Sequence, residues 1–118
     1  MIKGIGIDIV EIARIERLMK KNERFVKRIL GEKERDEFER LKNNRRKIEY
    51  VAGRFAAKEA FSKAIGTGIG EIHFAHIQVL HEANGKPYLT AKGFDDKKLF
   101  VSISHSDSYA VAQVIVTD

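Results

Sequence analysis

The chain has 118 residues, of which 43% are hydrophobic and 33% charged, a size and composition typical of one folded domain. It contains no cysteine and one proline, which excludes disulfides, thiolate metal sites and proline-rich linkers. The net charge is +5, and residues 1–49 hold 15 basic and 10 acidic residues whereas the remainder holds 7 of each. We predict a single domain, residues 1–118, with its excess positive charge either facing an anionic partner or spread over a solvated helical surface.

No apolar run approaches the length of a membrane span, and the N-terminus lacks the apolar block and cleavage site of a signal peptide. We therefore expect a cytoplasmic protein that does not enter a membrane.

Residues 2–10 alternate between isoleucine and small or polar residues, which predicts a β-strand. The small residues on the second face leave room for a ligand to approach the backbone. The two predicted faces carry Ile5, Ile7 and Ile9 on one side and Gly4, Gly6 and Asp8 on the other.

Helical periodicity follows this strand. Residues 11–21 form an amphipathic segment, 25–30 a short apolar stripe, and 32–43 a charged helix. Residues 45–65 predict a long amphipathic helix, and Gly66 suits the left-handed position just after its end.

The rest of the chain has the pattern of antiparallel strands. Residues 76–81 and 88–90 flank Asn84-Gly85, a strong hairpin signal, and residues 99–104 and 109–116 predict a second hairpin. The predicted fold class is α+β: an N-terminal strand, helices including one long central helix, and then an antiparallel β meander.

Asp8 is the first candidate for chemistry. A carboxylate between Ile7 and Ile9 costs several kcal/mol if it is dry and unpaired. Water at an exposed edge, an arginine or a metal ion would each compensate for this cost, and the strand pattern alone does not choose among them.

Glu59 and Lys63 are the second candidates, four residues apart on one face of the long helix. The simpler alternative is a surface ion pair. Apolar and small neighbours place them at the boundary of the core, where Glu59 could ligate a hard cation and Lys63 could meet an anion.

Two further segments give weaker signals. The glycine-rich stretch 66–70 could approach a phosphate through its backbone amides, but it follows a helix rather than preceding one, so a helix-ending turn is the simpler interpretation. His105 lies in a predicted hairpin loop near Ser102 and Ser104, without the nucleophile motif of a hydrolase, and contact with phosphate or solvent is more plausible there.

Taken together, these segments resemble the holo-acyl-carrier-protein synthases, the small single-module type of 4′-phosphopantetheinyl transferase. The resemblance covers essentially the whole chain, and its second segment is the most specific. The matching segments are GIGIDIVEI at 4–12, GRFAAKEAFSKAIGTGIG at 53–70, NGKPY at 84–88 and VSISHSDSYAVAQVIV at 101–116.

The resemblance implies an activity and a metal. Members of this family transfer the 4′-phosphopantetheine arm of coenzyme A to a serine of apo-acyl carrier protein in fatty acid biosynthesis, release adenosine 3′,5′-bisphosphate and require Mg²⁺. Asp8 and Glu59 match the metal-binding acids of the family, and Lys63 matches the lysine that neutralises phosphate charge.

The resemblance also implies two binding surfaces and an assembly. Family members of this size are homotrimers with each active site between neighbouring subunits, so we expect a homotrimer. The positions that match coenzyme A contacts are Arg54, Lys63, Gly66, Gly68 and His105. The positions that match the helix surface receiving the acyl carrier protein are Arg14, Leu18, Arg24, Phe25 and Arg28.

One position departs from the wider superfamily. Larger, two-repeat members have a second acid two residues after the strand aspartate, where this chain has Val10. Water would have to occupy the extra coordination position, which leaves the coordination of the metal open.

Two other functions share part of this evidence. A basic nucleic-acid-binding module would explain the charge, but it explains neither Asp8 nor Glu59, and no recognisable RNA-binding or zinc motif is present. A metal-dependent phosphohydrolase would use the same acids but would not need a carrier protein.

Overall fold

The computed structural model describes residues 1–66 and 73–118. Its helices and strands follow the predicted order. They are β1 (Ile2–Glu11), α1 (Ile12–Lys21), α2 (Phe25–Ile29), α3 (Glu32–Arg40), α4 (Asn44–Ile65), a 3₁₀ turn (Phe74–His76), β2 (Ile77–His81), β3 (Pro87–Ala91), β4 (Lys98–His105) and β5 (Tyr109–Thr117).

The strands form two antiparallel sheets. The larger sheet has the order β1-β5-β4, and the smaller sheet pairs β2 with β3. Both predicted hairpins are confirmed, and Gly85 has a positive φ of 88° in the turn of the first. The predicted meander is therefore divided between the two sheets. In the larger sheet, β5 lies in the middle and pairs with β1 on one side and β4 on the other.

Helix α4 lies directly against β1. A Cβ atom added at Gly4 would lie 1.8 Å from the carbonyl oxygen of Ala64, and one added at Gly6 would lie 1.8 Å from the carbonyl oxygen of Ala60. The expectation that these glycines leave room for a ligand is wrong, since the backbone of α4 occupies that space. The close approach sets where the helix crosses the strand.

The predicted amphipathic character of α4 gives way to burial on nearly all sides, because the larger sheet, the smaller sheet and the N-terminal helices all pack around it. The helix begins at Asn43, whose side chain accepts a hydrogen bond from the backbone amide of Arg46. It ends at Gly66, where a φ of 77° confirms the predicted left-handed residue. In the described part of the chain, no helix combines the length and the apolar character needed to cross a membrane.

A buried ion pair was not predicted. The side chains of Lys58 on α4 and Glu34 on α3 are both fully buried, and Lys58 Nζ lies 2.5 Å from Glu34 Oε1. Burial lowers the pKa of Lys58 to about 8, although the Glu34 carboxylate opposes this shift. The pair ties α3 to the central helix inside the core.

The glycine contact between β1 and α4 yields a stability prediction. Gly6→Ala places a methyl group against the backbone carbonyl of Ala60, which cannot move without displacing the helix, so we expect a loss of about 3 kcal/mol or more in the free energy of unfolding. Chemical denaturation measures this difference. Gly53→Ala is the matched control, because its added Cβ atom meets a side-chain methyl group of Ile103 at 3.2 Å and no backbone atom of another element. Equal stability of Gly6→Ala and the wild type would contradict the proposed packing.

Candidate active site

The first site residue, Asp8, lies in the middle of β1 on the face that packs against α4. Only 16% of its side chain is exposed, and its Oδ1 atom lies 3.1 Å from Lys63 Nζ. Lys63 also donates a hydrogen bond of 3.1 Å to the backbone carbonyl of Ile7. The ion pair of Lys63 is therefore made across to the strand, with Asp8, rather than along the helix with Glu59.

Glu59 lies one helical turn before Lys63 and is half-buried. Burial is the largest cause that raises its pKa, and the negative charge of Asp8 raises it further, whereas Lys63 and Arg14 lower it. The two carboxylates are thus close enough to repel each other. The strand acid and the helix acid meet in one partly desolvated corner of the molecule.

This corner suits a hard divalent cation. Mg²⁺ is usually bound by one or two carboxylates and completed by water and substrate phosphates, and a cation would relieve the repulsion between Asp8 and Glu59. No group of three or more His, Asp or Glu side chains gathers within residues 1–66 and 73–118. Val10, at the position of the additional superfamily acid, is 3% exposed and packs in the core. The residues present fit a metal whose remaining ligands come from outside the protein.

A cavity of about 750 Å³ opens beside Glu59, and we call it the Glu59 cavity. Its apolar wall includes Phe55 and Phe74, whose rings meet edge-on at 5.8 Å between centroids. Its lining residues are Arg28, Ile29, Phe55, Glu59, His73, Phe74, Ala75 and His76. An elongated, mostly apolar group could lie here with one end at Glu59.

A second cleft of about 540 Å³, the Arg54 cleft, lies toward the N-terminal half of α4. The guanidinium of Arg54 stacks on the ring of Tyr50 at 3.8 Å and donates a hydrogen bond of 3.3 Å to the carbonyl of Val79. Its buried Nε atom has no hydrogen-bond partner among the described residues. The cleft is also lined by His105, whose Nδ1 lies 3.9 Å from a carboxylate oxygen of Glu49. Its cations suit an anionic group such as a phosphate.

The two groups of predicted coenzyme A residues do not meet within one chain. Lys63 lies with Asp8 and Glu59, whereas Arg54 and His105 lie in the other cleft. Glu49, which lies beside His105, is about 20 Å from Lys63 along the axis of α4. Gly66 is exposed at the end of α4, and Gly68 lies outside the described residues. Within one chain, the predicted coenzyme A residues that the structure describes therefore do not form one cluster.

Three of the predicted carrier-protein residues lie at or beside the Glu59 cavity. Phe25 packs on Phe55 with ring centroids 6.2 Å apart, and the Arg14 guanidinium lies 5.7 Å from the same ring. Arg28 lines the cavity itself. The two remaining members of this set are Leu18, partly buried on α1, and Arg24, exposed just before α2.

Several residues of these sites were missed by sequence reasoning. The stacking of Arg54 on Tyr50 follows from their spacing of four residues on a helix, a signal that was present but not used. Phe74 and His76 lie in the 3₁₀ turn before β2 and line the Glu59 cavity. No local sequence pattern predicts this position, because it depends on how distant segments pack. Lys58 looks like any charged residue of a helix, and only the assembled core shows that it is buried.

Comparisons with known proteins identify the family of this chain. The family model of the 4′-phosphopantetheinyl transferase superfamily matches residues 4–114. The chain belongs to this superfamily. It is 57% identical to a protein of Geobacillus sp. (strain WCH70) named holo-[acyl-carrier-protein] synthase, over 98% of this chain and 97% of the other. The resemblance seen in the sequence is thereby confirmed, and the chain is an enzyme of the phosphopantetheinyl transferase type.

Solved structures of family members share the fold. A holo-(acyl-carrier-protein) synthase from Bacillus anthracis in complex with CoA (3′,5′-ADP) has a TM-score of 0.89 and 50% identity, covering 100% of this chain and 98% of the other. A holo-[acyl-carrier-protein] synthase from Helicobacter pylori in complex with coenzyme A has a TM-score of 0.81 and 35% identity, covering 96% and 99%. The predicted α+β fold of this transferase is confirmed.

The burial of Glu59 and the nearby charge of Asp8 together predict a gain in stability when Glu59 is neutralised. Because the pKa of Glu59 lies above its ordinary value of 4.5, the folded chain disfavours the ionised form. This penalty is fully present above the folded-state pKa and disappears as the pH falls below 4.5. At pH 7 without divalent cations, Glu59→Gln should raise the melting temperature by on the order of 2 °C.

Thermal unfolding followed by circular dichroism measures this change. The exposed Glu23→Gln serves as the control, because it removes the same charge away from Asp8. A melting temperature that is unchanged or lower in Glu59→Gln would contradict a folded-state penalty on the ionised form of Glu59.

Proposed function

We propose that this chain transfers the 4′-phosphopantetheine arm of coenzyme A to a serine of apo-acyl carrier protein and releases adenosine 3′,5′-bisphosphate. The observation that carries the proposal is the convergence of Asp8, Glu59 and Lys63 beside a cavity, in a chain whose relatives are named for this reaction. Solved relatives in complex with coenzyme A support the donor. We further propose a role in fatty acid biosynthesis. A cytoplasmic location and a single domain over residues 1–118 stay predictions.

Asp8 and Glu59 would hold Mg²⁺, which supplies positive charge to the pyrophosphate of coenzyme A. Lys63 places an ammonium group beside the same acids, and its side chain is 56% exposed, so it can reach a bound phosphate. Its contacts with Asp8 and the Ile7 carbonyl hold that charge in place before the substrate arrives. Such fixed charge is the main source of catalysis in phosphoryl transfer.

In the proposed reaction the serine oxygen of the carrier protein forms a bond to the β-phosphorus of coenzyme A. The bond from that phosphorus to the bridging oxygen breaks, the electrons leave with adenosine 3′,5′-bisphosphate, and the proton of the serine hydroxyl is released to solvent. Because the nucleophile belongs to the carrier protein, this chain needs no activated serine or cysteine of its own.

The carrier protein would dock on the basic surface around the Glu59 cavity. Arg14, Arg24 and Arg28 are exposed, and the partly buried Phe25 and Leu18 would supply apolar contacts. Carrier proteins of this family are acidic, so the charge excess of residues 1–49 would speed their encounter with this surface. This use of the charge requires no nucleic acid and no membrane.

We also propose a homotrimer with shared active sites. The sheet face opposite α4 carries an exposed apolar surface, whose members are between 46% and 63% exposed, and burial between subunits would cover it. The separation of the Arg54 cleft from Glu59 supports the same assembly, since a neighbouring subunit would bring the missing part of the site. The surface consists of Ile5, Ile7, Ile9, Phe100 and Tyr109.

The transfer reaction is tested by mass spectrometry of the carrier protein. With coenzyme A and Mg²⁺, the wild-type chain should make apo-acyl carrier protein about 340 Da heavier, as expected for transfer of the phosphopantetheine arm. Asp8→Asn should abolish the mass gain because the strand acid no longer holds the cation. Asp96→Asn, at a 77% exposed side chain, is the control and should react normally.

Two outcomes would overturn this function. One is a carrier mass that stays unchanged with every divalent cation. The other is release of adenosine 3′,5′-bisphosphate from coenzyme A in the absence of any carrier, which would indicate a phosphohydrolase.

The shared site is tested by complementation. Asp8→Asn and His105→Ala alter different parts of the proposed site, so each variant alone should be nearly inactive at limiting coenzyme A. When equal amounts are unfolded and refolded together, a random trimer places an intact Asp8 beside an intact neighbouring His105 in about one quarter of its sites. We therefore expect about one quarter of the wild-type rate. A mixture no more active than the mean of the two variants would contradict a site between subunits.

A further inference from the structure

Lys58 is a charged residue that the proposed reaction does not use. It directly precedes Glu59 on α4, and its side chain is fully buried. Its Nζ atom donates hydrogen bonds to the carbonyl of Ile29, to Glu34 Oε1 at 2.5 Å and to the carbonyl of Phe74 at 3.0 Å. An ammonium group has three protons, so these three acceptors use all of its donors.

Glu34 uses both of its carboxylate oxygens. Its Oε1 atom also accepts a hydrogen bond of 2.9 Å from the backbone amide of Gly31, and its Oε2 atom accepts one of 2.8 Å from the amide of Val79. The Lys58–Glu34 pair therefore joins the end of α2, the start of α3, the 3₁₀ turn and β2 to one point on α4.

Stability alone is a weak explanation for this pair. Burying two charges costs several kcal/mol per ion, and replacing a buried ion pair with apolar residues is often neutral or stabilising. The pair also fixes the positions of the neighbouring segments, because each of its hydrogen bonds to the backbone holds a particular atom in place. An apolar side chain of the same size would fill the space without fixing any of them.

Two of the fixed backbone atoms belong to the walls of the Glu59 cavity. Ile29 and Phe74 both line it, from α2 and from the 3₁₀ turn, and Glu59 lines it from α4. The carbonyls of the two wall residues are thus bound to the residue next to Glu59. The same α2 carries Arg28 and Phe25 of the proposed carrier surface.

We propose that Lys58 is a positioning residue, which holds both walls of the Glu59 cavity at a set distance from Glu59 and so places the carrier-facing helix α2 relative to the two acids. This role rests on the proposed function. Catalysis requires reacting groups to be held within about 0.5 Å of their productive positions, and a misplacement of about 1 Å can cost about a hundredfold in rate. A looser α2 would displace the carrier serine while leaving the acids and Lys63 unchanged.

The test replaces the pair by apolar residues of similar volume, Lys58→Met with Glu34→Leu. We expect coenzyme A binding, measured by calorimetry, to stay within about twofold, and kcat/KM for the carrier protein to fall by about tenfold or more. Phe94→Leu is the matched control, because it weakens the packing of Phe94 against Phe61 (ring centroids 5.1 Å apart) away from the cavity. At a similar loss in melting temperature, the control should retain its kcat/KM.

Amide hydrogen exchange gives a readout that does not depend on activity. The paired variant should exchange faster in residues 25–31 and 73–79 but not in β5, since only the first two segments are bound to the pair. If the paired variant fails to fold, Glu34→Gln carries the same two measurements, because it keeps the shape of the side chain and removes its charge.

The outcomes separate the two proposals. Unchanged exchange in both segments of a folded variant, or a loss of kcat/KM no greater than in Phe94→Leu, would overturn the positioning role. Faster exchange in a chain whose wild type does not modify the carrier protein would support the fixed geometry and overturn the proposed function alone.

Discussion

The close packing of α4 on β1 is the contact on which the rest of the structure depends. It is possible only because Gly4 and Gly6 have no side chains where the carbonyls of Ala64 and Ala60 approach the strand. The close packing lets Lys63 bind Asp8 and places Glu59 near enough for the charge of Asp8 to raise its pKa further. Asp8 of the strand thus forms a site together with residues of the helix. The neighbouring turn of the helix also supplies Lys58, whose buried contacts fix the walls of the cavity.

The site combines groups that are unfavourable on their own. Two carboxylates share a partly buried corner, and burial together with mutual repulsion raises the pKa of Glu59. A cation and a bound pyrophosphate would supply compensating charges in this corner. Without them the two acids lower the stability of the fold, a common cost of an active site. The cationic Arg54 cleft lies away from it on the same helix, and the exposed isoleucine face offers a physical reason for subunits to associate and bring the two together.

Much of the fold was predictable, because local patterns decide its elements. The alternation of β1, the Asn84-Gly85 hairpin and the left-handed Gly66 are all confirmed. The sequence could not show which face of each helix or strand is buried. The isoleucines of β1 are exposed, whereas the glycine face packs against α4, because the partner of that face is a backbone rather than a side chain. The approach of His105 to the Arg54 cleft and the burial of Lys58 likewise depend on long-range packing.

The central claim is that Asp8 and Glu59 bind one divalent ion together. Calorimetric titration of Mn²⁺, in the presence of coenzyme A, into the wild type, Asp8→Asn, Glu59→Gln and the double variant tests it most directly. If both acids hold the same ion, each single variant should lose at least tenfold in affinity, and the double variant should lose much less than the product of the two losses, as groups acting as one unit do. Full affinity in either single variant, or losses that simply multiply, would contradict a shared metal site.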